Sequence, residues 1–310
     1  MIKNTLSSFR RGLTMLELVF VIVILGIVAS IASSIIVQIY ESYIVQRALH
    51  STSTKAELAA LQIANRLTYR ISSSVIGRIP GGTFKPIDQL LPADSTTHTA
   101  LEWIAYDNDS FTAQNTPGWS GFCDVQDTAI TTTNISTPGS NLTDTSTIIG
   151  NLSGAMTDAA IIFEGHEYSS TINYIADCMG FTGNTCISPV SAVTNTSITV
   201  TDNNAKVMTD QYKLAWSAYA IVPTIVANPV ARGFKTGAQI YDLALHYNYQ
   251  PWSTNAASSY ASGSSSNTLV TNVVSFRFTG RGDTIRFKIC VAESIGDSNI
   301  TSCKEKAVIR

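Results

Sequence analysis

Glu17 is the residue whose type and position invite chemistry first. It is a lone carboxylate at the head of an apolar run that extends from Leu18 to Val37. A carboxylate there raises the free energy of the segment unless it meets water, a proton or a cation. Just before it stand Gly12 and Leu13, preceded by a short leader carrying Lys3, Arg10 and Arg11. The five cysteines form a second group. Cys178 and Cys186 flank a short stretch with Gly180, Gly183 and Asn184, which suits a local disulfide. Cys290 and Cys303 flank a polar loop between two strand-like segments, so a bridge there would close a hairpin. Both pairings suit an oxidising compartment. Cys123 is left over, as a buried thiol or as a member of some other pairing.

Catalytic and metal-binding constellations are not legible. No cysteine pair has the Cys-x-x-Cys spacing of a zinc site, and the chain has four histidines, so the metal reading is none. Asp107-Asn108-Asp109 offers closely spaced oxygens, yet lacks the glycine and the distant glutamate of a calcium loop. Gly118-Trp119-Ser120-Gly121 lacks the glycine two residues after the serine that a nucleophile elbow requires. Cys123 with His98 or His166 has the residue types for nucleophile and base, but nothing in the spacing joins them. Arg281-Gly282-Asp283 lies between two strong strand patterns and reads as a hairpin turn. The Asn-x-Ser/Thr sites at Asn134 and Asn299 follow from composition. No nucleotide-binding or metalloprotease motif is present, no cofactor is expected, and the chain reads as a non-enzyme.

Beyond Glu17, the apolar run is long enough to cross a bilayer as a helix. Lys3, Arg10 and Arg11 precede it, which predicts a single pass with the N-terminus cytoplasmic and the remainder outside. Gly12-Leu13-Thr14-Met15-Leu16-Glu17 before an unbroken apolar helix resembles the class III leader of type IV prepilins and type II secretion pseudopilins. The resemblance implies cleavage between Gly12 and Leu13 by a membrane prepilin peptidase, then N-methylation of Leu13. It also implies that Glu17 faces the new amine of a neighbouring subunit in the filament core. A buried carboxylate and a buried ammonium are each costly alone and tolerable when paired. Two other readings compete. A secretory signal would share the basic and apolar regions, with Ser30-Ile31-Ala32 offering cleavage before Ser33. A plain signal anchor would explain the span but not the spacing from Gly12 to Glu17.

Charged residues make up 14% of the chain, whereas Ser, Thr and Asn are abundant, as in exported, β-rich proteins. Removing the leader leaves 17 basic against 22 acidic residues, a formal charge of −5. Nucleic acid is therefore not an expected partner.

The elements that must position these residues follow from periodicity. From Gln38 to about Arg78, Ala56, Ala60, Ile63, Leu67 and Ile71 recur every three or four residues and predict a continued helix, with Arg66 and Arg70 beside the stripe. Ser51-Thr52-Ser53-Thr54 is its weak spot, and Ile79-Pro80-Gly81-Gly82 its expected stop. Leu101–Tyr106 reads as one strand, and the polar run from Thr128 to Ser153 as loops or frayed strands. Further strands are expected at Ala159–Glu164, Thr171–Asp177, Ser197–Thr201, Lys213–Val222, Ile240–Tyr247, Leu269–Thr279, Thr284–Val291 and Glu305–Ile309. Ser253 to Asn267 reads as a flexible loop.

Together these predict an α+β, pilin-like chain, with a long N-terminal helix, half transmembrane, packed on a mainly antiparallel C-terminal β-sheet. Residues 1–12 are the leader, 13–37 the transmembrane and filament-core helix, 38–79 its amphipathic continuation and 80–310 an extracytoplasmic β-rich domain. The tail from Leu269 to Phe278, a turn and a last strand resembles larger minor pilins and J-type minor pseudopilins. Many major pilins carry a proline near the position of Ser34, and this helix has none. The expected function is a structural, minor subunit of a type IV pilus or type II secretion pseudopilus. The alternatives are a major pilin, or a membrane-anchored extracytoplasmic adhesin or hydrolase. The implied partners are other pilin or pseudopilin subunits, the prepilin peptidase, an inner-membrane assembly platform and membrane lipid. The implied location is the inner membrane, with the C-terminal domain periplasmic, and a surface filament or pseudopilus after assembly.

Overall fold

The computed structural model describes residues 14–112, 116–129, 131–163, 178–201, 208–253, 258–296 and 298–309. Its contacts separate a unit ending at His50 from a second unit, Ser51–Arg310. One helix, α1 (Met15–Thr68), supplies residues to both.

In the first unit the Leu18–Val37 stretch of α1 is apolar on every side. No charged residue lies between Glu17 and Glu41, and large side chains such as Phe20, Ile24 and Leu25 are exposed. In the second unit the same helix has a buried stripe: Ala56, Ala59, Ala60, Ile63 and Leu67 are all at most 1% exposed. Ser51 to Thr54 remain helical. The propensity cost of such residues is only tenths of a kcal/mol each, and Thr52 is fully buried.

The helix stops at Thr68, ahead of the expected stop at Ile79. After a closing turn at Tyr69 the chain becomes extended at Arg70 and Ile71 and docks beside β3 (Ala100–Ala105). The Ile71 N–H donates to the Ile104 carbonyl at 2.9 Å, and the Tyr106 N–H to the Tyr69 carbonyl at 3.0 Å. Ile71 is buried as the stripe predicts, but from an extended backbone, which is why helical periodicity overran the true end. Buried Arg70 seals that end, donating to the carbonyls of Leu67, Asp283 and Val308.

The remaining elements are β1 (Ile76–Arg78), β2 (Phe84–Pro86), α2 (Asn108–Phe111), β4 (Asn134–Ser136), α3 (Leu142–Asn151), β5 (Ala160–Phe163), β6 (Ser188–Val193), β7 (Ser197–Val200), β8 (Tyr212–Ala215), β9 (Ser217–Ile225), β10 (Tyr241–Tyr249), β11 (Ser265–Arg281), β12 (Thr284–Ile295) and β13 (Ser298–Ile309). They form an eight-stranded sheet, β13-β12-β11-β10-β9-β3-β1-β2, and a five-stranded sheet, β4-β7-β6-β5-β8. Every strand pairing within the two sheets is antiparallel. The 51–68 segment of α1 covers one face of the larger sheet, and the smaller sheet covers the opposite face. The alternation of β3 shows this: Leu101 and Trp103 join the helix-side core, whereas Ala100 and Ile104 join the inter-sheet core. Similarly, Ala160 and Ile162 of β5 face the inter-sheet core, and Ile161 and Phe163 face a third core beneath α3.

Three expectations are corrected here. Thr128–Ser153 is not only loops and frayed strands: beside the short strand β4 it contains the helix α3. Asn141 caps α3 by accepting from the Asp144 N–H, and Leu142, Thr145 and Ile149 form its buried face. Lys213–Val222 is not one strand either. The chain leaves β8 at Trp216 and enters β9, so the two halves serve different sheets. Part of the expected Ser253–Asn267 loop is already β11. The strand expected at Thr171–Asp177 lies outside the described residues.

Candidate functional site

The site is the head of α1. Gly12 and Leu13 lie outside the described residues, and Thr14 is the first residue placed. Its hydroxyl accepts the Glu17 N–H at 3.3 Å, and its carbonyl accepts the Leu18 N–H at 3.1 Å. Thr14 is therefore the N-cap, and Glu17 occupies the third helical position. A Thr three residues before a Glu is the capping-box spacing, a signal that the sequence carries in its own right. At that position a carboxylate also sits favourably near the positive end of the helix dipole. Glu17 thus has a local reason to exist, beyond any partner it meets.

Below it, the apolar surface is continuous, and Leu25 is 68% exposed. The segment is long and apolar enough to cross a membrane. A helix that is hydrophobic all round is stable only when lipid or other apolar helices surround it. The Ser34 hydroxyl donates to the Ile31 carbonyl at 2.8 Å, so this polar group is satisfied within the helix.

The other candidates take structural positions. Cys290 and Cys303 oppose each other in the β12–β13 register, at disulfide distance, with Cα atoms 4.0 Å apart. Cys178 and Cys186 are also at disulfide distance, with Cα atoms 5.1 Å apart. Cys123 is fully buried in the core beneath α3. Burial, reinforced by Asp124 and Asp210, pushes its thiol up to about 11, far from the thiolate a nucleophile needs. His98 packs against Thr97 and Asp94 instead, and His166 lies outside the described residues. Asp107 caps α2 through the Ser110 N–H at 3.2 Å. Among the described residues no group of three or more His, Cys, Asp or Glu could hold a metal ion.

Arg66 stacks over Tyr219, its guanidinium carbon 5.4 Å from the ring centre. In Arg281-Gly282-Asp283, Gly282 takes φ +56° and the Asp283 carbonyl accepts from Arg70, so the tripeptide is a hairpin turn tied to the end of α1.

Residues 7–33 match the model of the prokaryotic N-terminal methylation motif. This supports a type IV pilin or pseudopilin precursor. No curated protein and no solved structure matches the chain.

Proposed function

We propose that this chain is an assembly subunit of a type IV pilus or type II secretion pseudopilus, and a minor component of it. The prepilin peptidase cleaves between Gly12 and Leu13, and the new N-terminus at Leu13 is methylated. The apolar part of α1 holds the subunit in the inner membrane and then forms the filament core. Glu17, carried into packed apolar helices, pairs with the Leu13 amine of a neighbouring subunit. An unpaired charge there would be penalised by several kcal/mol. Other subunits and an inner-membrane assembly platform are the partners, and the work is assembly, with no catalytic step.

The observation that carries this reading is a coincidence on one segment. The methylation-motif match over residues 7–33 ends within the Leu18–Val37 stretch of α1, which is uncharged and exposed around its whole circumference, with Glu17 as the one charge at its head. The absence of proline from that helix and the large two-sheet domain support a minor role.

Intact-mass and N-terminal analysis of protein from its own host should find a chain starting at methylated Leu13. A start at Ser33, or an intact Met1, would overturn the proposal. Glu17→Leu keeps the helix and its apolar character. It should remain membrane-inserted and cleaved, yet be at least tenfold depleted from sheared filaments or cross-linked assemblies, as expected when a charge-pair contribution above about 1.4 kcal/mol is removed.

A further inference from the structure

β13 opens with an Asn-x-Thr sequence, Asn299-Ile300-Thr301. On an exposed segment of an exported chain this is the acceptor pattern for an N-linked sugar. The Asn-x-Ser/Thr pattern recurs at Asn108, Asn134, Asn141, Asn151 and Asn195, so its presence alone decides nothing. The surroundings of each copy do.

At four of the other copies a group that must react is already committed. Ser110, the hydroxyl residue of the Asn108 copy, is fully buried. The Asn134 amide donates to the Ala129 carbonyl at 3.1 Å, and the Asn141 amide to the Asp144 carboxylate at 2.6 Å. Asn195 accepts from the Thr143 hydroxyl at 3.3 Å, and the Ser197 hydroxyl is bonded to that of Thr194 at 2.7 Å. Asn151 is the last residue of α3, and Ser153 after it takes φ 70°, so that copy wraps around a helix end.

Asn299 differs on each count. It and Thr301 are exposed, two residues apart on a strand in regular register with β12, so their side chains share one face. That face is opposite the one from which Val308 enters the helix-side core. Among the described residues neither side chain has a hydrogen-bond partner. β13 is the last strand of its sheet, so no neighbouring strand screens its outer side. The whole sequence lies between the hairpin turn and the Cys290–Cys303 bridge. It can therefore fray from the tip while the bridge holds the rest, an opening far less costly than global unfolding. Of the six copies, only Asn299 has an acid two residues before it, Asp297. A carboxylate there gives a transferase a charge-assisted handle on the acceptor segment.

We propose that Asn299 is an acceptor of N-linked oligosaccharide, selected through Thr301 and Asp297. The donor is a sugar carried on a lipid pyrophosphate. The Asn299 amide nitrogen forms the bond to the anomeric carbon, and the bond from that carbon to the pyrophosphate oxygen breaks. The lipid pyrophosphate leaves, and the nitrogen gives one of its two protons to a base of the transferase. The proposal rests on the export of the sheet domain, and not on its assembly into a filament.

The test is peptide mapping of the full chain purified from its own host, with electron-transfer fragmentation to place any sugar. The reduced tryptic peptide 289–304 should carry the sugar on Asn299. Asn299→Gln and Thr301→Val should lose it, and Thr301→Ser should keep it. Asp297→Ala should lower occupancy about tenfold, the scale of losing one charge-assisted hydrogen bond. Thermal unfolding checks that each variant is folded, and valine, a good strand former, keeps β13 in Thr301→Val. A bare Asn299 in a chain that starts at Leu13 would overturn this proposal and leave the processing standing. A bare Asn299 in a chain that starts at Met1 would overturn both. Sugar that persists in Asn299→Gln would be O-linked to Ser298 or Thr301. Unchanged occupancy in Thr301→Val or Asp297→Ala would mean that another signal chooses the site. Either result overturns the proposal.

Discussion

One helix behaves in two ways on either side of His50. Before it, Phe20, Ile24 and Leu25 are each more than half exposed, and the polypeptide offers them nothing to pack against. After it, Ala56, Ala60, Ile63 and Leu67 are wholly buried against the larger sheet. The residue chemistry is similar, but the source of the partner differs. The first stretch depends on an apolar environment supplied from outside, whereas the second is completed by its own chain. An all-round apolar surface therefore signals assembly or membrane insertion, and a one-sided stripe signals a domain core.

The strongest way to break this comparison is to exchange the damage. Ile24→Arg should raise the free energy of membrane insertion by about 3 kcal/mol, roughly a hundredfold in partition. It should leave the thermal unfolding of the sheet domain unchanged. Ile63→Ala should do the reverse: loss of about 3–4 kcal/mol of domain stability through its cavity, with membrane association intact. Fractionation and calorimetry on both variants decide it. If Ile24→Arg lowered the domain's melting temperature as much as Ile63→Ala, the two stretches would not be independent.

A smaller effect separates the ends of the sheet domain. Cys290 and Cys303 staple β12 to β13, and β13 also reaches α1 through Lys306 and Glu57 at 2.6 Å. Replacing both cysteines with serine should destabilise by about 2–3 kcal/mol for a ring of this size. Non-reducing peptide mapping should find the pair oxidised to each other; a link from either to Cys123 would refute it. Because the membrane stretch contains no cysteine, membrane association should not change.

How much was legible follows from which patterns are local. The apolar run, Glu17 and the β11–β12 hairpin around Gly282 are all written in short windows, and each is readable there. The end of α1 is not, because Ile71 continues the helical stripe while its backbone pairs with Ile104. No local signal announces that a strand some thirty residues later will compete for the backbone. α3 is hidden by its threonines, since Thr145 fills a core position that an apolar residue usually holds. The switch at Trp216 is unreadable for another reason. Lys213 to Val222 is uniformly strand-like, and only the presence of two sheets makes the chain change over there. At the site itself, the Thr14 cap is written in its spacing to Glu17, although the strength of the apolar run draws the eye past it.

The finest test compares the carboxylates at the heads of two helices, Glu17 in the first turn of α1 and Asp107 at the N-cap of α2. Glu17 heads an exposed helix, whereas Asp107 is 4% exposed and its Oδ2 has no hydrogen-bond partner among the described residues. Burial pushes the Asp107 carboxyl above the usual carboxylate range, against the pull of its hydrogen bond from Ser110. With the folded-state value raised, the folded chain holds the proton more tightly than the unfolded one. Stability is then lost as pH rises from the ordinary aspartate range through the raised value. Asn caps helices as well as Asp does and cannot ionise. Asp107→Asn should therefore be more stable than the parent at pH 7, by about 1 kcal/mol, the lower end of what a buried acceptor without a partner costs. The gain should vanish at about pH 3, where both side chains are neutral. Denaturant unfolding at the two pH values measures this. A gain of equal size at both, or a loss at pH 7, would mean that the buried charge is not what distinguishes this carboxylate from the exposed one on α1.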